Sequence, residues 1–330
     1  FPMMDRPTIL DVAKLAGVSP TTVSRVLNGK DVSHVSEETR ARVLRALEEL
    51  DYVPAKAARA LRRQRSGVIA VLLPDVSNPF FASLARGVES VGFQNELSVM
   101  ICDSNHSYEK ENRYLDIVLT EGVDGVVFVP VDMPDEKKLA RLARHGVRVV
   151  VADRRVDGWP VVEADNQRGS YELTAYVVNL GYRRIAYIAG PRNVSTSCDR
   201  IQGFLRFMQE AGLTPVVVKY GDFTFESGYA LAKEILKEQN VDLIMCGNDL
   251  MAMGALRAAA ECSIAVPSEL GITGFDHIRF AALLHPPLTT VEVPAFEIGA
   301  KAVSLLLRPE VEAVCVDTRI IPGGTCAPRR

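Results

Sequence analysis

Two groups of residues in this 330-residue chain have the types and spacing for recognition chemistry, and neither has the makings of a reaction. The first is Thr21, Thr22, Ser24 and Arg25, within PTTVSRVLN. On a helix they set short hydroxyls and one long cation on the face away from Val23, Val26 and Leu27, a face suited to the base edges of a DNA major groove. The second is spread along the chain: Asp75, Asn78, Phe80 and Phe81, then Asp153 and Arg154, Arg200, Asn248 and Asn248's neighbour Asp249, Asp276, and Glu292. Each cluster follows a short apolar run, the place where α/β sheets hold ligands. Asp and Asn exchange hydrogen bonds with vicinal hydroxyls, and phenylalanine covers the apolar face of a sugar-like ring. No nucleophile–base pair stands out, and the G-x-G-x-x-G, Walker lysine, H-E-x-x-H and G-x-S-x-G patterns are absent from the sequence. Binding without turnover is expected, with no catalytic residue, no cofactor and no metal.

The elements that must position the first group lie in residues 8–28. Two short helical patterns flank Ala16-Gly17-Val18-Ser19, where Gly17 is free to take a positive φ. Ser19 caps the second pattern and Pro20 fills a first-turn position that needs no N–H. Val12, Ala13 and Ala16 give the first helix its apolar side. Ser36 caps a third helix to about residue 50, with Glu37 and Glu38 in its first turn and Val43, Leu44, Leu47 and Leu50 as its apolar stripe. Pro54 ends that unit. Residues 55–63, AKAARALRR, favour a helix but are too short to hold one alone in water. Leu61 is the one bulky apolar group on this slim basic segment, suited to wedge between base pairs in a minor groove.

From Gly67 the texture changes to alternating strands and helices. Strands are predicted at 68–73, 99–102, 125–129, 147–152, 185–188, 216–218, 243–246 and 272–275. Helices between them include 80–96, 171–180, 226–238 and 250–262. This βαβ alternation, at this length, predicts two doubly wound parallel sheets.

Composition agrees with two unlike parts. Net charge is −3, which alone argues against nucleic acid, but its distribution does not. Residues 1–65 carry 12 Lys and Arg against 8 Asp and Glu, a balance of +4, which leaves −7 for the remainder. Lys56, Arg59, Arg62, Arg63 and Arg65 follow one another with no acid between. One end is therefore built to meet a polyanion. The six cysteines are scattered without C-x-x-C pairs, as expected of reduced, mostly buried thiols. No apolar run reaches the ~18 residues of a membrane span. The first residues carry no signal-peptide pattern, Phe1-Pro2 precede the candidate starts Met3 and Met4, and a cytoplasmic protein is expected.

At this point the chain resembles the LacI/GalR family of bacterial transcription repressors. The likeness rests on DVAKLAGVSPTTVSRVLN, DYVPAKAARALR, VSNPFF, GPRNVSTSCDRIQGF, GNDLMAMGAL, ITGFD and PPLTTVEVP, in that order from Thr8 onward. It implies an all-α helix-turn-helix headpiece (1–53), a hinge helix and linker (54–66), and an α/β effector domain (67–330) with two lobes like those of periplasmic binding proteins. The lobes would take about 67–164 with 294–318, and 165–293 with 319–330. By this resemblance Pro20, Thr21 and Arg25 read base edges, Leu61 is the minor-groove wedge, and Ala58 lies where two hinge helices approach. Thr8, Ser19, Thr22, Ser24, Asn28 and His34 complete the implied DNA-contacting set. Pro20 has no side-chain donor, a departure from commoner residues at that place.

The strand-end set of Asn78, Phe80, Phe81, Asp153, Arg154, Arg200, Asn248 and Asp276 looks like the pocket of ribose-binding proteins, with Phe223 as a further aromatic. Glu292 stands where ribose binders tend to carry Gln. The resemblance thus implies a homodimeric repressor of a palindromic operator, released by a small sugar such as ribose or a similar pentose, with no membrane partner. A purine-type corepressor, or a sugar-binding protein without a DNA role, are the alternatives.

Overall fold

The structure is a computed structural model that describes residues 7–28, 35–52, 66–308 and 313–329. His34, Ala58, Leu61 and the hinge segment up to residue 65 lie outside the described residues, as does the side chain of Asn28. The chain divides into two compact units, Phe1–Ser66 and Gly67–Arg330.

In the first unit, helices span Ile9–Ala16, Pro20–Asn28 and Glu37–Glu49. Thr8 and Asp11 form a reciprocal capping box at the first, and Gly17 closes it at φ +64°. Ser19 Oγ accepts from Thr22 N at 3.2 Å and Ser36 Oγ from Thr39 N at 3.2 Å, so both predicted caps are formed. Val12, Ala13, Ala16, Val23, Val43 and Ala46 make the core, with Val26, Leu27, Leu47 and Leu50 packed against it. Leu44 departs from the predicted stripe and is 49 % exposed. At 100° per residue it turns away from Val43, and the small Ala46 takes the inward place.

In the second unit, the larger sheet runs β11(Ala313–Val316), β5(Val161–Ala164), β4(Arg148–Ala152), β3(Gly125–Phe128), β1(Val68–Leu73), β2(Ser98–Asp103), parallel throughout. The second runs β7(Val217–Tyr220), β6(Ile185–Ala189), β8(Leu243–Cys246), β9(Gly271–Thr273), again parallel. Both place their first strand inside the order, so each has a switch point, between β1 and β3 and between β6 and β8. Both faces of the larger sheet are buried. Ile69, Val71, Val127 and Val150 belong to one core, while Ala70, Leu72, Val126 and Phe128 belong to another with Leu115, Leu139 and Leu142. That two-sided burial explains why these strands read as unbroken apolar runs.

A third, two-stranded sheet was not anticipated: β10(Thr290–Glu292) pairs antiparallel with β12(Arg319–Ile321). It forms where the chain returns between the lobes, which it does three times: after β5, after β10, and between β11 and β12. Helix Ala295–Leu307 thereby lies on helix Pro79–Gln94, and residues near the C-terminus lie on the second sheet, with Thr325 O accepting from Ile272 N. Of the cysteines, Cys102, Cys246 and Cys326 are buried, while Cys262 and Cys315 are exposed, contrary to the expectation of mostly buried thiols. No helix among the described residues is long and apolar enough to cross a membrane.

The two helices just paired meet through glycine. A Cβ on Gly87 would strike the Phe296 carbonyl, and one on Gly299 would strike that of Leu84. Both obstacles are backbone and cannot swing aside. Gly299→Ala is therefore expected to cost about 1–3 kcal/mol, as overpacking does. Urea melts read it, and a variant as stable as the wild type would refute the close crossing.

Candidate functional site

In the first unit, helix Pro20–Asn28 carries most of the residues predicted to meet DNA. Pro20, Thr21 and Arg25 are exposed, Thr22 and Ser24 half-buried, around the buried Val23. Two members of the implied set are engaged in caps. Thr8 Oγ1 donates to Asp11 Oδ2 at 2.6 Å, and Ser19 Oγ shares a 2.9 Å hydrogen bond with Thr22 Oγ1. Arg25 is in the last turn, where a cation also suits the helix dipole.

In the second unit, strand ends from both sheets line a cleft that is open to solvent. Asn78, Phe80 and Phe81 follow β1, Asp153 and Arg154 follow β4, and Thr196 and Arg200 follow β6. Phe223, Asn248 and Asp276 follow β7, β8 and β9. Nine of these ten lining residues are in the sequence-predicted set. The tenth, Thr196, was missed although it lies in the first turn of helix Ser195–Glu210, within GPRNVSTSCDRIQGF.

Arg200 is the most constrained of them. Its Nε donates to Asn166 Oδ1 at 2.8 Å and its Nη1 to the Gly247 carbonyl at 2.7 Å. Its Nη2 lies 2.9 Å from Asp276 Oδ1, and the guanidinium stacks 4.0 Å from the Phe275 ring. The approach to Asp276 is oblique, leaving Oδ1 without a hydrogen bond. Burial pushes the Asp276 carboxyl up to about 7, against the pull of Arg200. Burial likewise raises Asp153, against Arg154 and Arg200.

Arg154 is held from behind, by the carbonyls of Pro130 and of Val131 (3.1 Å) at Nη1. Its Nε lies 3.8 Å from Asp153 Oδ2 and makes no hydrogen bond, and Asp153 Oδ1 makes none either. A buried donor and buried acceptors without partners, side by side on the wall of a cavity, are what a bound polar molecule would satisfy.

Asn78 caps helix Pro79–Gln94 by accepting from Phe80 N at 3.0 Å. With the oxygen engaged, its amide N–H groups are what it has to offer. Asn248 is committed further: Oδ1 caps helix Asp249–Glu261 through Met251 N, and Nδ2 donates to the Phe223 carbonyl at 2.9 Å. It therefore positions Phe223, whose backbone is left-handed at φ +69°. The Phe223 ring rests on Gly190, where a Cβ would collide with it. Asp153 (φ +65°) and Asp276 (φ +105°) are also left-handed. Three such non-glycine residues around one cavity are strain concentrated where ligands bind.

Three predicted residues take other places. Asp75 stays in the loop after β1, where its Oδ1 accepts from Ser77 N at 2.8 Å and Ser77 Oγ at 2.6 Å. Glu292 does not line the cavity. Its Oε2 accepts from Arg319 Nη2 at 2.7 Å, because the β10–β12 register sets Arg319 directly opposite it. Asp249, singled out as a strand-end acid, is buried behind the cavity. It accepts from Ile278 N (2.7 Å) and Thr290 Oγ1 (2.5 Å), bracing the loop that carries Asp276. Among the described residues no group of three or more His, Cys, Asp or Glu could hold a metal ion.

Comparison with known proteins fits both halves. Residues 8–55 match the model of bacterial regulatory proteins of the lacI family, and residues 66–322 match that of periplasmic binding proteins and the sugar binding domain of the LacI family. The ribose operon repressor of Halalkalibacterium halodurans is 37 % identical over 313 residues, 94 % of this chain and 92 % of that protein. The HTH-type transcriptional repressor PurR of Proteus mirabilis is 35 % identical over 326 residues, 95 % of each. A LacI family regulator of Enterococcus faecium, solved with bound ribose, superposes with a TM-score of 0.73 at 26 % identity, covering 80 % of this chain and 100 % of that one. The chain belongs to the LacI family and is a DNA-binding transcriptional repressor.

Proposed function

We propose that this repressor answers to a small sugar, ribose or a similar pentose, bound in the cleft between the two sheets. The observation that carries this is the pair of buried polar atoms without a hydrogen bond on the cleft wall, Asp153 Oδ1 and Arg154 Nε, on the same wall as the ion-paired Asp276 and beside the rings of Phe80, Phe81 and Phe223. Two aspartates offset two arginines, so the wall suits a neutral polyol with hydroxyls on its rim and C–H groups on its faces. The ribose operon repressor and the ribose-bound regulator among the relatives support the same ligand. The alternative, a purine-type corepressor, is separated by the experiment below.

On DNA, Pro20, Thr21 and Arg25 are proposed to read base edges, with Thr22, Ser24, Asn28 and His34 beside them and lysines and arginines supplying phosphate contacts. Leu61 and Ala58 are proposed, from sequence, as the wedge and the contact of paired hinge helices. A two-fold operator calls for a two-fold protein. Edge strand β2 offers a face for it, with Ile101 on the strand and Phe93 beside it both exposed. Release requires that the sugar bind the two states unequally; moving a 1:99 balance to 99:1 takes about 5.5 kcal/mol.

Operator-DNA anisotropy titrations with D-ribose, L-arabinose, D-galactose and guanine test the reading. D-ribose is expected to weaken binding selectively, and strengthening by guanine alone would overturn the sugar assignment. Arg25→Ala is expected to cost ~1–3 kcal/mol at the base pair it reads; equal losses on every operator variant would show a phosphate contact instead. Asp276 also has a pH signature. Its carboxyl titrates near 7 in the folded protein and near 4 in the unfolded chain, so the folded state binds the proton more tightly. Its favourable contribution is full below about pH 4 and lost as pH rises through 7. The stability of Asp276→Asn relative to wild type should therefore climb across that window in urea melts, and a flat difference would contradict the raised carboxyl.

A further inference from the structure

Glu111 is a carboxylate without any exposed surface that the cleft as described does not use. It lies in the first turn of helix Tyr108–Thr120, which Ser107 already caps through Lys110 N at 3.2 Å, so capping does not account for it. Its Oε2 accepts from Val131 N at 2.6 Å, and its Oε1 has no hydrogen-bond partner. Val131 is also one of the two residues whose carbonyls grip Arg154 Nη1. Glu111, the loop at 130–131 and Arg154 thus form a chain from the outside of the cleft to its wall, across the ends of β2, β3 and β4.

The charge on Arg154 needs this chain. The arginine is buried, and its one carboxylate within ion-pair range among the described residues is Asp153, at 3.8 Å. Asp153 is also drawn upon by Arg200. Glu111 and Asp132 also act on Arg154 as anions outside ion-pair range, and of the two only Glu111 is buried, without occupying cleft wall. Burial pushes the Glu111 carboxyl up to about 7, with Val131 N–H and Arg154 pulling it down and Asp132 pushing it up. A glutamine would accept the same hydrogen bond from Val131 and avoid the desolvation of a buried charge. What only glutamate supplies here is the charge.

We propose that Glu111 is a positioning residue for the effector cleft, which tethers the loop that grips Arg154 and supplies that arginine's second buried countercharge. The proposal rests on the reading of the cleft as the effector site, and its test includes a readout that needs no effector.

Perdeuterated wild type, Glu111→Gln and Glu111→Ala are compared at pH 8, where Glu111 is ionised, with Arg154→Lys identifying the Arg154 Nε–H resonance. The Gln variant keeps the tether, so a merely structural role would leave that resonance in place. The expected result is a shifted resonance and faster Nε–H exchange in Gln, larger in Ala, with D-ribose affinity by calorimetry reduced about tenfold in Gln. Thermal melts verify folding, and Gln, which sheds a buried charge, should melt no lower than wild type. A Gln variant with the wild-type Arg154 resonance, or with a moved resonance and unchanged D-ribose affinity, overturns the proposal. If wild type ignores D-ribose while the resonance still moves, the sugar assignment fails and the positioning role stands.

Discussion

The structure depends on keeping Arg200 charged in a dry place. Three partners fix its three nitrogens: the Asn166 oxygen, the Gly247 carbonyl and Asp276. They come from three segments far apart in sequence, and the Phe275 ring lies against the guanidinium. A buried guanidinium short of partners is costly, so these segments cannot drift independently. Asn166 begins the helix after β5, Gly247 follows β8, and Asp276 follows β9. One side chain thus ties a passage between the lobes to two strand ends of the second sheet. Arg154 is the counterpart on the first sheet, held by the loop after β3. The cleft is a meeting of two cations, each anchored to its own lobe and each facing an aspartate.

Much of this was legible in the sequence for a simple reason. Parallel strands buried on both faces announce themselves as apolar runs, and the residues after them fall at one end of the sheet without any knowledge of side-chain packing. Asn78, Asp153, Arg200, Asn248 and Asp276 were found in this way. What that logic cannot see is direction. Glu292 follows the same kind of run, but it sits on a two-stranded ribbon whose register sets it opposite Arg319. Thr196 was hidden by the opposite problem, since a threonine in a first helical turn reads as ordinary capping chemistry. Leu44 shows the limit in the headpiece, where three adjacent turns of a short helix offer more leucines than the small core can take.

Local strain was invisible for another reason. Asp153, Phe223 and Asp276 adopt left-handed backbone without being glycine, and although aspartate visits that region more often than most residues, nothing in the sequence singles out these positions. Their conformations are imposed from outside, by Asn248 on the Phe223 carbonyl and by the Val162 and Val291 carbonyls on the N–H groups of Asp153 and Asp276. Rigid surroundings hold three side chains where they meet a ligand already aimed. The ligand then need not supply the ordering energy itself.

The threefold return of the chain between its lobes has a consequence for synthesis. The larger sheet takes strands from residues 68–164 but acquires its last strand at 313–316, and the helix covering β3 and β4 comes from 295–307. The second sheet is complete by residue 273. A nascent chain leaving the ribosome thus holds a half-covered first sheet through the whole translation of the second, with Gly125 and its neighbours lacking the Leu306 side chain that later packs over them. Whatever shelters that apolar face in the interval, the gap between early strands and late cover makes helix Ala295–Leu307 and strand β11 the step that completes the first sheet.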